Sequence, residues 1–161
     1  RKMSNIKRHI VIASHSTLAE GMANALKFFE GNSLKLTVLS AYVDNKPIEG
    51  QIEKIFNQFD KNDEVIVLTD LLGGSVNQKF FPYISRPHTH IITGMNLSLA
   101  MAITMEPVEG YLTGEKIQSI VSEAQNQVKY VNELVTDSSE DDEDEWLEKE
   151  SYSLWGVCAK L

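Results

Sequence analysis

The sequence predicts an α/β domain built on an open, mainly parallel sheet with helices on both faces. Three observations carry this. Short β-branched runs alternate with amphipathic helical stretches, and the runs are apolar almost throughout, as strands covered on both faces are. Each run also ends in a polar or glycine-containing loop that leads directly into the next helix.

Taken in order, the first strand is His9-Ile10-Val11-Ile12-Ala13-Ser14. It stops at Ser14-His15-Ser16, and from Thr17 the residues Leu18, Met22, Ala25, Leu26 and Phe29 recur at helical spacing until Gly31-Asn32. Residues 34–39 form the second strand. The loop Asp44-Asn45-Lys46 then leads to a helix over 47–59, with Ile48, Ile52, Ile55, Phe56 and Phe59 on one side and Pro47 in its first turn. The third strand, 64–70, runs into Leu71-Leu72-Gly73-Gly74-Ser75 and a helix. The fourth, 89–95, precedes a helix over 97–105. A last helix over 114–130 carries Ile117, Ile120, Val121, Ala124 and Val128. Such alternation predicts right-handed crossovers. The order 2-1-3-4 would set the first and third loops side by side.

Composition narrows the function classes. The 161 residues have a formal charge of −8, which opposes the phosphate attraction that dominates nucleic-acid binding. Much of the charge sits in the run Glu140-Asp141-Asp142-Glu143-Asp144-Glu145. The domain is therefore taken as residues 3–135 and the remainder, 136–161, as an acidic tail or linker. The segment Tyr152-Ser153-Leu154-Trp155-Gly156-Val157 is apolar enough to dock on a surface. No apolar stretch approaches the roughly 20 residues of a membrane helix, so any membrane connection is expected to run through a partner. The lone Cys158 and the absence of a signal-like apolar core near the N-terminus point to the cytosol.

Ligands of open parallel sheets bind beyond the carboxyl ends of the strands, where neighbouring strands send their helices to opposite faces. That rule selects His15 and Ser16 after the first strand, and Asp70 with Gly73, Gly74 and Ser75 after the third. Neutral imidazole is a nucleophile without further activation, so a loop histidine can accept a phosphoryl group. A carboxylate such as Asp70 would fix its tautomer and balance the charge formed on attack. The glycine pair lets backbone N–H groups approach an anion, with the Ser75 hydroxyl as a further donor. Such a set supplies positioning and charge stabilisation without a metal.

Each element also has a purely structural reading. A loop histidine can be a surface residue, Asp70 can cap a turn, and Gly-Gly-Ser can simply open a helix. Their joint placement at one crevice favours chemistry. The pair His88 and His90 lacks an evident third metal ligand. A phospho-aspartate receiver would want an acidic pair after its first strand, and a dinucleotide-binding module a G-x-G-x-x-G loop. A serine hydrolase of the α/β type would want a G-x-S-x-G elbow. None of these is present.

The stretch Ile12-Ala13-Ser14-His15-Ser16-Thr17-Leu18-Ala19-Glu20-Gly21, then Asp70-Leu71-Leu72-Gly73-Gly74-Ser75 with Asn77, then Gly94-Met95-Asn96-Leu97, resembles the IIA component of the mannose family of the bacterial phosphoenolpyruvate-dependent sugar phosphotransferase system (PTS). The resemblance spans residues 10–135. It implies a homodimer in which a C-terminal strand, here near residues 129–135, crosses to the partner subunit. It also implies that His15 accepts a phosphoryl group from the phosphocarrier protein HPr, oriented by Asp70, in a pocket lined by Gly73, Gly74, Ser75 and Ser16. The group would pass to a IIB component and thence to sugar entering through the membrane subunits IIC and IID, with no cofactor. Leu71 and Leu72 would touch the partners.

Two positions depart from the family pattern. Many members have glycine where this chain has Ser16, and proline where it has Val76. The resulting Ser-His-Ser resembles the phosphotransferase subunit of dihydroxyacetone kinase, which is the nearest alternative. The loop Leu-Leu-Gly-Gly-Ser is closer to the sugar transporters.

Overall fold

A computed structural model describes residues 6–136. The strands are β1 (Arg8–His15), β2 (Thr37–Ala41), β3 (Glu64–Thr69) and β4 (Thr89–Thr93), all parallel, in the order β2-β1-β3-β4 expected from the sequence. The helices are α1 (Leu18–Glu30), α2 (Ile48–Phe56), α3 (Ser75–Phe80), α4 (Leu97–Thr104), α5 (Gly114–Gln125) and α6 (Val131–Thr136). A 3-10 turn, Phe81–Ser85, follows α3.

The period of two in β1 and β3 sorts the core into two layers. Ile10, Ile12, Ile66 and Leu68 face α1, α4 and α5, where Ala19, Leu26, Leu99 and Ile120 complete one apolar cluster. Val11, Ala13, Val65 and Val67 face α2 and α3, against Ile48, Ile52, Phe56, Val76 and Phe80. Every residue of β3 is buried, which is why its sequence carries no polar alternation. α1 therefore leaves β1 toward one face of the sheet while α3 leaves the adjacent β3 toward the other. That divergence opens a crevice at the carboxyl ends of β1 and β3.

The opposite end of the sheet is held by charge. Arg8 pairs with the fully buried Glu64, whose other oxygen accepts the Leu112 N–H, and Arg8 also donates to the carbonyls of Glu106 and Gly110. This ties the loop before α5 to the base of the central strands.

Several boundaries differ from the sequence reading. β2 starts at Thr37 and ends at Ala41, and Leu34 and Leu36 pack against the α1 side of the core ahead of it. Helix α2 ends at Phe56, and Phe59 instead stacks on His9 with ring centroids 4.1 Å apart. α5 ends at Gln125, five residues short of the expected end. In place of the strand expected near 129–135, the single chain forms α6, a helical turn that satisfies its backbone hydrogen bonds locally. The acidic run and the Trp155 segment lie outside the described residues.

Candidate functional site

Parallel pairing aligns His15, the last residue of β1, with Ala41, the last of β2. The chain then turns sharply. Ser16 takes a left-handed conformation (φ 52°) and its N–H donates to the Ala41 carbonyl at 2.9 Å. Buried Ser14 organises the start of α1, accepting the Ala19 N–H at 2.7 Å and donating to the Ser16 carbonyl at 3.2 Å. These bonds fix the loop that carries His15.

Asp70 follows β3 directly. Its Oδ2 accepts both the backbone N–H of His15 and the ring Nδ1–H, each at 2.8 Å, and its Oδ1 accepts the Leu71 N–H at 2.9 Å. Burial pushes the Asp70 carboxyl up, but the hydrogen bonds from the His15 backbone and ring outweigh it, so the group is held below its ordinary value. The carboxylate is acceptor-only, so Nδ1 carries the proton and Nε2 holds a free lone pair. Nε2 lies 3.0 Å from the Ser75 Oγ and accepts its proton.

The loop 71–75 approaches closely. Gly73 is left-handed (φ 71°), and Gly74 is tightly packed: a Cβ there would lie 3.1 Å from Leu71 Cβ, 3.2 Å from the Leu71 carbonyl oxygen and 3.3 Å from His15 Cε1. Gln78 clamps the turn by donating to the Gly73 carbonyl at 2.7 Å. Helix α3 begins at Ser75 with no side chain capping its first turn. Leu71 and Leu72 are 59% and 82% exposed beside the crevice.

The structure thus brings together His15, Asp70, Gly74 and Ser75. Ser16 lies next to them, with its backbone committed to the turn. Sequence reasoning missed Tyr42. Its phenol donates to Ser75 Oγ at 2.8 Å and its ring lies 5.6 Å from that of His15. Of the other histidines, His9 bonds Asp63 and stacks on Phe59, His88 stacks on Tyr111 at 3.5 Å, and His90 Nε2 lies 4.0 Å from the buried Glu64. Among the described residues, no group of three or more His, Cys, Asp or Glu is arranged to hold a metal, and no helix is long and apolar enough to cross a membrane.

Residues 9–121 match the family model for the PTS system fructose IIA component, of mannose type. The chain belongs to this PTS IIA family. A phosphoenolpyruvate-dependent sugar PTS permease from Klebsiella pneumoniae is similar in structure, at 32% identity and TM-score 0.76 over 84% of this chain and 98% of that one. So is the IIA protein associated with the fucose utilization operon of Streptococcus pneumoniae, at 26% identity and TM-score 0.66 over 83% and 99%. The mannose/sorbose-specific IIA subunit of Enterococcus faecalis shares the fold, at 21% identity and TM-score 0.66 over 77% and 94%. As a PTS IIA component the chain has a phosphotransfer role in a sugar phosphotransferase system.

Proposed function

We propose that His15 Nε2 takes a phosphoryl group from phospho-HPr and passes it to a IIB component, which phosphorylates sugar entering through IIC and IID membrane subunits. The observation that carries this reading is the Nδ1–H bond to Asp70 at 2.8 Å, which commits one nitrogen to the carboxylate and leaves the other with its lone pair, 3.0 Å from the Ser75 hydroxyl. His15 is 38% exposed, enough for a partner to reach it, while Asp70 is 6% exposed and shielded from competing water. Attack makes the ring cationic, and Asp70 balances that charge. Gly73, Gly74, Ser75 and Ser16 would line the phosphoryl group, and exposed Leu71 and Leu72 would give each partner a small apolar contact compatible with release.

Such a carrier works in the cytoplasm, with residues 3–135 as the functional domain and 136–161 as tail or linker. A homodimer would cover the edge of β4, which has no neighbouring strand among the described residues. Intact-mass spectrometry after incubation with phosphoenolpyruvate, enzyme I and HPr tests the central step. One acid-labile phosphoryl group is expected on the wild type and none on His15→Ala; equal labelling of both would remove His15 from the role.

A further inference from the structure

We propose that Tyr42 is a positioning residue for phosphoryl transfer at His15, acting through the Ser75 hydroxyl; this rests on the carrier reading above. The hydrogen directions are determined by counting. Asp70 accepts the hydrogen bond from Nδ1–H, so Nε2 of the neutral ring can only accept. The hydroxyl 3.0 Å away must therefore donate its single proton to Nε2, and its oxygen is left to accept the Tyr42 phenol at 2.8 Å. The relay runs in one direction, from Tyr42 to Ser75 to His15. Without the phenol, the Ser75 hydroxyl loses one of the two partners that fix its rotation.

The backbone supports the same assignment. Tyr42 is left-handed (φ 64°), a conformation that a bulky side chain adopts at a cost. Packing does not explain it, because the side chain is 55% exposed. What the conformation achieves is to carry the phenol back over the crevice from the end of β2. Ser16, at the matching place after β1, is left-handed as well, and the two turns are joined by the bond from Ser16 N–H to the Ala41 carbonyl. The end of β2 and the end of β1 thus shape one site.

In the transfer, the Nε2 lone pair forms the new P–N bond as the bond from phosphorus to the donor breaks, and the donor keeps that electron pair. No proton leaves His15: the proton stays on Nδ1, hydrogen-bonded to Asp70, and the ring becomes cationic. The Ser75 proton, displaced from Nε2, turns to a phosphoryl oxygen. The Tyr42 phenol holds the Ser75 oxygen in reach during that turn.

Rapid-quench transfer from phospho-HPr to the full chain separates the outcomes, using wild type, Tyr42→Phe, Ser75→Ala and the double variant. Tyr42→Phe removes only the hydroxyl. It is expected to slow the transfer step at saturating HPr by about threefold to tenfold, the worth of one neutral hydrogen bond, with the half-saturating HPr concentration unchanged. In the Ser75→Ala background the same change should cost less than about twofold, because the relay is already cut. A wild-type rate in Tyr42→Phe, a loss confined to the half-saturating concentration, or an undiminished loss in the Ser75→Ala background would each overturn the proposal. A wild type that takes no phosphoryl group from active HPr would overturn the carrier reading with it, so the two failures are distinguishable.

Discussion

Asp70 Oδ2 holds His15 twice, accepting the backbone N–H and the ring Nδ1–H at 2.8 Å each, so one oxygen sets both the position and the tautomer of the ring. Asp70→Asn keeps the size of the side chain but ends the charge. An amide oxygen can still accept both bonds from His15, but its NH2 then meets the Leu71 N–H, and the neutral group cannot balance a cationic imidazole. Phosphoryl transfer to His15 is expected to fall by on the order of 100-fold or more, with the fold retained, as measured by single-turnover transfer alongside circular dichroism.

The depressed Asp70 carboxyl has a definite pH signature. A carboxyl whose folded value lies below its unfolded one stabilises the fold above the unfolded value of 3.8, and that contribution is lost as pH falls through the folded value. The difference in urea midpoint between wild type and Asp70→Asn should therefore not shrink between pH 7 and pH 5, and should close below about pH 4. A gap that closes already by pH 5 would contradict the depressed value.

Gly74 tests the closeness of the loop to the ring. Its φ of −64° suits any residue, so Gly74→Ala adds no backbone strain; the new methyl group meets Leu71 at 3.1 Å and His15 Cε1 at 3.3 Å. The ring must give way by a few tenths of an ångström. The expected result is a transfer rate lowered by about tenfold with a stability change under about 1.5 kcal/mol, read from paired kinetics and urea unfolding. A rate equal to wild type would mean that the ring tolerates the shift.

Much of the site was legible in the sequence because it depends on loop identity and strand order. The near-continuous apolar runs of β1 and β3 are what strands buried on both faces require, and the switch from α1 on one face to α3 on the other follows from their adjacency. His15, Asp70 and Ser75 then meet by topology. Tyr42 was not legible, for two reasons. Leu34 and Leu36 have the alternation of a strand, and they drew the reading of β2 toward its start, although the strand ends at Ala41. The phenol reaches Ser75 only through a left-handed turn after Ala41, and a tyrosine gives no local signal for that conformation. At residues 131–136 the single chain forms the helix α6 where the resemblance implied a strand, and a short stretch such as Val131-Asn132-Glu133-Leu134 has no local signal that separates the two.

The far end of the sheet yields the last prediction, which separates stability from chemistry. Glu64 is fully buried and Arg8 nearly so at the opposite pole of β1 and β3 from His15, and the carboxylate also accepts the Leu112 N–H. Removing one partner leaves a buried charge and an orphaned N–H, so Glu64→Ala should destabilise the fold by about 3–5 kcal/mol in urea unfolding. Replacing both partners with apolar residues, Arg8→Met with Glu64→Leu, should recover much of that loss, since the desolvation cost of both charges disappears. In both variants, at a temperature where the protein remains folded, the rate of phosphoryl transfer to His15 should stay within about twofold of wild type, because sites that share no partners act independently. A double replacement no more stable than Glu64→Ala would show that the carbonyl and N–H contacts of the pair, rather than its charges, hold the loop before α5 in place.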